Sequence, residues 1–354
     1  MSGRRGLAVG KLPPARLDRS VLAFPGLPRR DVLIGPRVGV DVGAVRLSSE
    51  RVGVFTTDPL YVEGVLGWRR GCWFAFHILA NDLTTTGHPP SHILLNLNLP
   101  VGFPEARLRA LMEVWDGESR ALGASILGGH TGAYPGLGGA ILGSATFFAA
   151  VPKGSFAATP YIRDGAVLLL SKSAGLEAAV LLAHLLPRSA VPTGARSALS
   201  RVRGRWKELS SVKDALSAAR VGLGARGVQG MHDVAEGGLL GALAEMAMAS
   251  GRNLKVDLDR APVEPDVRRL LSGLGLDPRA VSGQGALLVA VRPDRAEQVL
   301  EEWSSLGIRG SVLGSFSGRG GKVFDRGRKL GRPPPDRWYE VLPQASPTRS
   351  PDRG

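Results

Sequence analysis

The chain carries a single cysteine, Cys72, in 354 residues, which excludes an internal disulfide framework and any cysteine-rich zinc site. Its apolar setting, GCWFAFHIL, makes it a packing residue, and the chain suits a reducing compartment. No uncharged apolar run reaches the roughly 18 residues that a membrane-spanning helix needs. The opening MSGRRGLAVGKLPP has no continuous apolar stretch of the secretory kind, so a cytoplasmic location without membrane partners is expected. A phosphate loop ending in lysine and serine or threonine is missing as well. GLGARG at 222–227 matches the dinucleotide pattern, but it follows a helical segment and precedes a strand, the reverse of what a phosphate-cradling turn requires. It reads as a helix C-cap, and any nucleotide must be held by another device.

Hydrophobic residues make up 44% and charged residues 21%, the composition of a folded protein, and the length suits two domains of roughly 100–200 residues. The formal net charge is +14, carried by 37 arginines and 8 lysines with no dense block beyond pairs such as Arg69-Arg70. Such basicity bears on phosphate-bearing ligands and loose polyanion association rather than on a reaction. The stretches 1–10 and 343–354 are polar and cannot bury enough surface to offset their ordering, so both are expected to be flexible tails.

Between the tails, strand and helix patterns alternate, an α+β arrangement in two units. Strands are expected at 40–47, 52–58 and 92–100, and helices over 67–86 and 104–123. SILGGHTG and AILGSATFFAAV complete the first unit near residue 150. The second opens with the strand AVLLLSKS and continues through a helix from Leu176, a helix over about 205–220 and the strand VQGMHD. A helix over 236–250, strand LKVDL, helix 263–274, strand GALLVAVR, helix 294–305 and strand IRGSVLGSF follow. Met246 and Met248 are expected in the core.

The candidate chemistry lies at the ends of these elements. Asp41 sits in GVDVGAV, Asp58 in TTDP, Asp82 in ANDLTTTG and Asp233 in MHDVAEGGL. Carboxylates gathered from element ends are what a hard cation bridging phosphates requires. GGHTG at 128–132 reads as a turn after a strand. Its glycines let backbone N–H groups approach an anion, Thr131 adds a hydroxyl, and His130 is able to donate or accept near neutral pH. His88 and His92 stand four apart, but Pro89-Pro90 forbids the helix that would pair them, so a surface turn is expected.

GKLPP, GVDVGAV, TTDP, HILANDLTTTGHPP, ILGGHTG and HDVAEGGLLGALAEMA occur here in the order and spacing of the aminoimidazole ribonucleotide (AIR) synthase-related superfamily. The chain resembles in particular its hydrogenase-maturation-like branch, from about Lys11 to about Phe316. The resemblance implies a two-domain PurM-like fold. An ATP-binding domain would span 11–155 and contribute to an intersubunit β-barrel, and a C-terminal α/β domain would span 160–342. It also implies ATP and Mg2+ as cofactors and a homodimer. Asp41, Asp58 and Asp82 would hold magnesium against the phosphates, and Asn81, Gly128, Gly129 and Thr131 would shape the pocket. Lys11 would cover the triphosphate, while Asp233 and the Gly237-Gly238 helix start would face a small-molecule second substrate.

The chain departs from the family at several points: Val40-Asp41 replaces an acidic pair, His130 stands where relatives carry an acid, His88 stands where alanine is usual, and the sequence ends SPDRG without the cysteine of the hydrogenase protein. Covalent sulfur chemistry is therefore not expected. The expected activity is ATP-dependent activation of a substrate oxygen by phosphoryl transfer, with Asp233 and His130 as the catalytic pair. A small-molecule kinase is the alternative. A rival of another class is an inactive nucleotide-binding or nucleic-acid-associated protein resting on the positive charge, which neither zinc-finger spacing nor an aromatic-rich surface backs.

Overall fold

The computed structural model describes Leu7 and residues 10–341. The tail at 343–354 and most of the tail at 1–10 lie outside the described residues. Two sheets organise the chain, one of six strands and one of seven.

The first sheet is ordered β1-β2-β3-β6-β4-β5, with β1 Val32–Ile34, β2 Gly43–Arg46, β3 Arg51–Tyr61, β4 His92–Pro100, β5 Ser125–Tyr134 and β6 Ile141–Pro152. In β3 the alternate residues Val52, Val54, Thr56 and Leu60 are buried, the period of two that lays one face on a core. Helix α1, Trp68–Thr84, covers that face through Cys72, Phe76, Leu79 and Leu83, all fully buried, and α2, Glu105–Leu122, adds Leu111 and Trp115. The Trp115 indole donates to the Cys72 carbonyl at 3.0 Å, and burial pushes the Cys72 thiol up to about 12. Among the described residues the sheet is open and closes into no barrel.

The other sheet is ordered β13-β12-β9-β11-β7-β10-β8. Its elements are β7 Val167–Ser171, α3 Leu176–Leu185, α4 Val212–Ala218, β8 Val228–Asp233, α5 Gly238–Ser250 and β9 Arg252–Val256, then α6 Pro265–Gly273, β10 Leu287–Val291, α7 Ala296–Ser305, β11 Gly310–Arg319, β12 Val323–Asp325 and β13 Arg328–Lys329. β10 is buried at every position because α5 packs on one face and α7 with α4 on the other. The α/β expectation for this half needs correcting: every pairing is antiparallel except β12 with β9.

Three local expectations also change. GGHTG is not a turn but the middle of β5, in parallel register with β4. The helix expected over 205–220 is broken, with 3-10 turns over Arg205–Leu209 and Ala219–Val221 flanking α4. The carbonyls that would continue it are taken elsewhere, Glu208 and Ser210 by the Lys172 ammonium and Leu209 by the Asn81 amide. Met246 is buried, but Met248 is 42% exposed, because residues two apart on a helix face different ways.

Candidate functional site

Four carboxylates reach one place from separate elements. Asp58 stands on the inner row of β3, opposite Ala145 of β6. Asp82 occupies the last turn of α1, where the hydroxyls of Thr84, Thr85 and Thr86 bond back to carbonyls of Ala80, Asp82 and Leu83 and finish the helix. Asp233 ends β8. Asp41 lies in the extended segment before β2, which presses on α5 so closely that a Cβ at Gly39 would lie 2.3 Å from the Glu245 carbonyl oxygen. At φ +77° that position also favours glycine on backbone grounds.

The charges explain one another. Burial pushes the Asp82 carboxyl well above the usual range, reinforced by the charges of Asp233, Asp58 and Asp41 and by a hydrogen bond donated to Asp58. The Thr56 hydroxyl donates to Asp82 Oδ2 at 3.2 Å. Burial likewise raises Asp233 to about 7, with Asp41 adding to the rise and His232 and Lys11 restraining it. Its Oδ2 is buried without a hydrogen-bond partner among the described residues.

His232, next to Asp233 on β8, supplies the compensating charge. Its Nδ1 donates to Asp41 Oδ1 at 2.7 Å and its Nε2 to Glu245 Oε2 at 3.0 Å. Burial alone would lower its pKa, but the two carboxylates raise it to about 10, so the ring is an imidazolium. Burial would raise Glu245; the His232 and Lys11 charges hold it at about 2 instead. Lys11 closes the chain of contacts, its Nζ 2.8 Å from Glu245 Oε1 and its backbone N–H on Glu236.

A second acidic group adjoins the first. Burial, Asp336, Glu63 and Asp233 together raise Glu177 to about 8 against the Gln284 backbone N–H that its Oε2 accepts at 3.3 Å. Asp336 Oδ2 accepts from the Gly237 N–H at the start of α5 and from the Ser282 hydroxyl.

The residues fit a hard divalent cation. Donor atoms of Asp41, His232 and Asp233 lie within 4.8 Å of one another. Both His232 nitrogens are spent on carboxylates, so the donors left to a cation are carboxylate oxygens.

Of the residues singled out in the sequence, the structure thus gathers Lys11, Asp41, Asp58, Asp82 and Asp233. Asn81 is fully buried beside them, but its amide is committed to the backbone at Leu209 and Ser211. Gly128, Gly129, His130 and Thr131 line up along the edge strand β5. His130 is in register with Asn96, Ser144 and Pro59, the row on the open face, whereas Asp58 shares its row with Ala145 and Leu95 on the covered face. The His130 ring meets the Tyr134 hydroxyl instead. His88 bonds the Ser155 carbonyl and His92 the Ser91 hydroxyl, so the two do not converge. Sequence reasoning missed His232 and Glu245. The histidine was signalled by its place in MHD; nothing in sequence ties Glu245 to Lys11.

One buried cluster, with Asp58 on the first sheet and Asp233 and the ion-paired His232 on the second, thus marks the junction of the two sheets. Residues 39–150 match the AIR synthase related protein, N-terminal domain, and residues 163–326 its C-terminal domain. The chain belongs to the AIR synthase-related family. It is 28% identical over 253 residues to carbamoyl dehydratase HypE of Cupriavidus necator, covering 71% of this chain and 67% of that one. Among solved structures it is similar to AaThiL complexed with AMPPCP and TMP, with TM-score 0.67, 16% identity and coverage of 90% of this chain and 97% of the other. It is also similar to hydrogenase maturation protein HypE in complex with ATP, with TM-score 0.59, 20% identity and coverage of 90% and 92%.

Proposed function

We propose that the chain is an ATP- and magnesium-dependent enzyme that activates an oxygen of a small substrate by phosphoryl transfer. The convergence of Asp41, Asp58, Asp82 and Asp233 on one buried spot, each acid raising its neighbours, carries this reading. Carboxylates so crowded are stable as anions only with a cation among them. Magnesium, when bound, would offset triphosphate charge and orient the transferred phosphoryl group. Asp41, Asp58 and Asp82 would hold it. Lys11, already folded over the cluster, would place its ammonium on the phosphates. Asp233, at about 7, is poised to take a proton from the substrate oxygen at Oδ2.

HypE relatives and ATP-bound neighbours support this activity class. The chain's one cysteine is buried and its thiol pushed up to about 12, which favours transfer to a free substrate over chemistry on sulfur. A small-molecule kinase reading rests on the thiamine-monophosphate kinase neighbours. The exposed apolar residues Phe55, Tyr61, Leu94 and Ile141 on the first sheet support a homodimer in which two open faces close into a barrel. His130 would then work at that interface.

Titration calorimetry with Mg-ATP tests the site. Asp58→Asn and Asp82→Asn are expected to weaken binding at least about tenfold, roughly 1.4 kcal/mol, without lowering the melting temperature of the free protein. Affinity equal to the parent in both variants would remove the metal assignment.

A further inference from the structure

A cleft of about 610 Å³ lies away from the carboxylates, on the second sheet. α7 and α4 cover one face of that sheet over β7, β10 and β8, reaching β11 at Val312, and the cluster they form includes no residue of β9 or β12. On that face Ser315, Lys255, Phe324 and Lys329 form one cross-strand row, while the alternate residues Leu254, Phe316 and Val323 go into the core beneath α5. A Cβ at Gly314 would lie 1.9 Å from the Lys255 carbonyl oxygen, so β11 runs too close to β9 there for any side chain.

The lining is cationic. Lys255, Arg260 and Arg326 face the cleft against one acid, Asp257, whose carboxylate is engaged by the Asp259 N–H. Arg326 pairs with Asp259 at the rim. Lys255 and Arg260 are exposed and have no acid partner among the described residues. The adjoining ribbon 319–332 adds Arg319, Lys322, Arg328, Lys329 and Arg332 against Asp325. Much of the charge that the carboxylate site leaves unexplained is therefore concentrated here. Three strands separate β9 from β8, about 19 Å at about 4.8 Å per strand, so this cleft is distinct from the carboxylate site.

We propose that the cleft binds a nucleotide unit, free or within a strand, with its phosphate between Lys255 and Arg260 and its base on the Phe324 ring. A cleft of this volume suits a ligand of that size, a flat ring on a sheet is a stacking platform, and flanking cations track a phosphate backbone. The inference does not depend on the phosphoryl-transfer reading.

The test uses the full chain in EDTA, which silences any magnesium-dependent site, with uridine monophosphate and an oligouridylate of about a dozen residues as probes. Binding is followed by calorimetry and anisotropy at about 50 and about 200 mM salt. The double variant Lys255→Ala/Arg260→Ala, both positions exposed, is expected to lose at least about tenfold for the oligonucleotide, and Asp82→Asn to bind it like the parent. Equal affinity for the two probes per site identifies a free nucleotide as the source; much tighter, steeply salt-dependent oligonucleotide binding identifies a strand. Parent-like binding by the double variant, or no binding of either probe at the lower salt, overturns the proposal.

Discussion

Glu177 shows how a single carboxyl in this molecule records its surroundings. Its folded pKa of about 8 lies above its ordinary value, chiefly through burial, so its contribution to stability is complete below about pH 4.5 and is lost as pH rises through about 8. Glu177→Gln keeps an acceptor for the Gln284 N–H and removes the ionisation. The variant is expected to match the parent near pH 5 and to exceed it by about 2–4 kcal/mol near pH 8.5, read from denaturant melts at the two pH values. A parent whose stability does not fall across that range would contradict the burial of a neutral carboxyl. The same scale holds what the sequence concealed. Asp41, Asp82 and Asp233 were legible because each sits at or beside the end of an element; Asp58, expected at a strand end, lies inside β3, which continues to Tyr61. Glu245 was not legible, since a glutamate inside a helix looks like ordinary packing until the tertiary structure sets it 3.0 Å from His232.

Among the elements, β5 makes the sharpest case. Two glycines before a histidine look like a turn in sequence, but parallel pairing with β4 requires the chain to continue, and glycine is needed because the neighbour is so near. A Cβ at Gly129, where φ is +144°, would lie 1.6 Å from the Leu95 carbonyl oxygen. Gly129→Ala is expected to loosen β5 from β4 at a cost of about 2–3 kcal/mol, measurable by urea denaturation. His130→Ala, on the open face, should leave Mg-ATP affinity within about threefold of the parent; loss of binding in a folded variant would place His130 in the nucleotide site after all. The regular elements were better served by pattern. His92–Pro100 is a strand with the expected bounds, because alternation is set by the sheet itself. The segment 205–220 failed because Lys172 and Asn81, distant in sequence, claim its carbonyls.

At the scale of the whole molecule, the exposed face of the first sheet makes the strongest demand. Leu94 is 48% and Ile141 56% exposed on neighbouring strands, an apolar area that a monomer would leave in water. Light scattering at micromolar concentration is expected to give a dimer for the parent and a monomer for Leu94→Lys/Ile141→Lys. A monomeric parent would leave the barrel without support. The two-sheet plan was readable because strand and helix periods alternate clearly; the mutual orientation of the sheets was not, since it rests on contacts such as Asn81 with Leu209 that have no sequence signature.

The crowding of Asp82 and Asp233 has a thermodynamic corollary. Burial and mutual repulsion favour the protonated form of both acids in the free protein, Asp233 titrating at about 7 and Asp82 raised well above its usual range. A divalent cation arriving among them must expel those protons into solution. The observed heat of magnesium binding should therefore vary linearly with the ionisation enthalpy of the buffer, and the slope should count the protons released. That number should shrink as the pH is raised past about 8, where Asp233 is already bare.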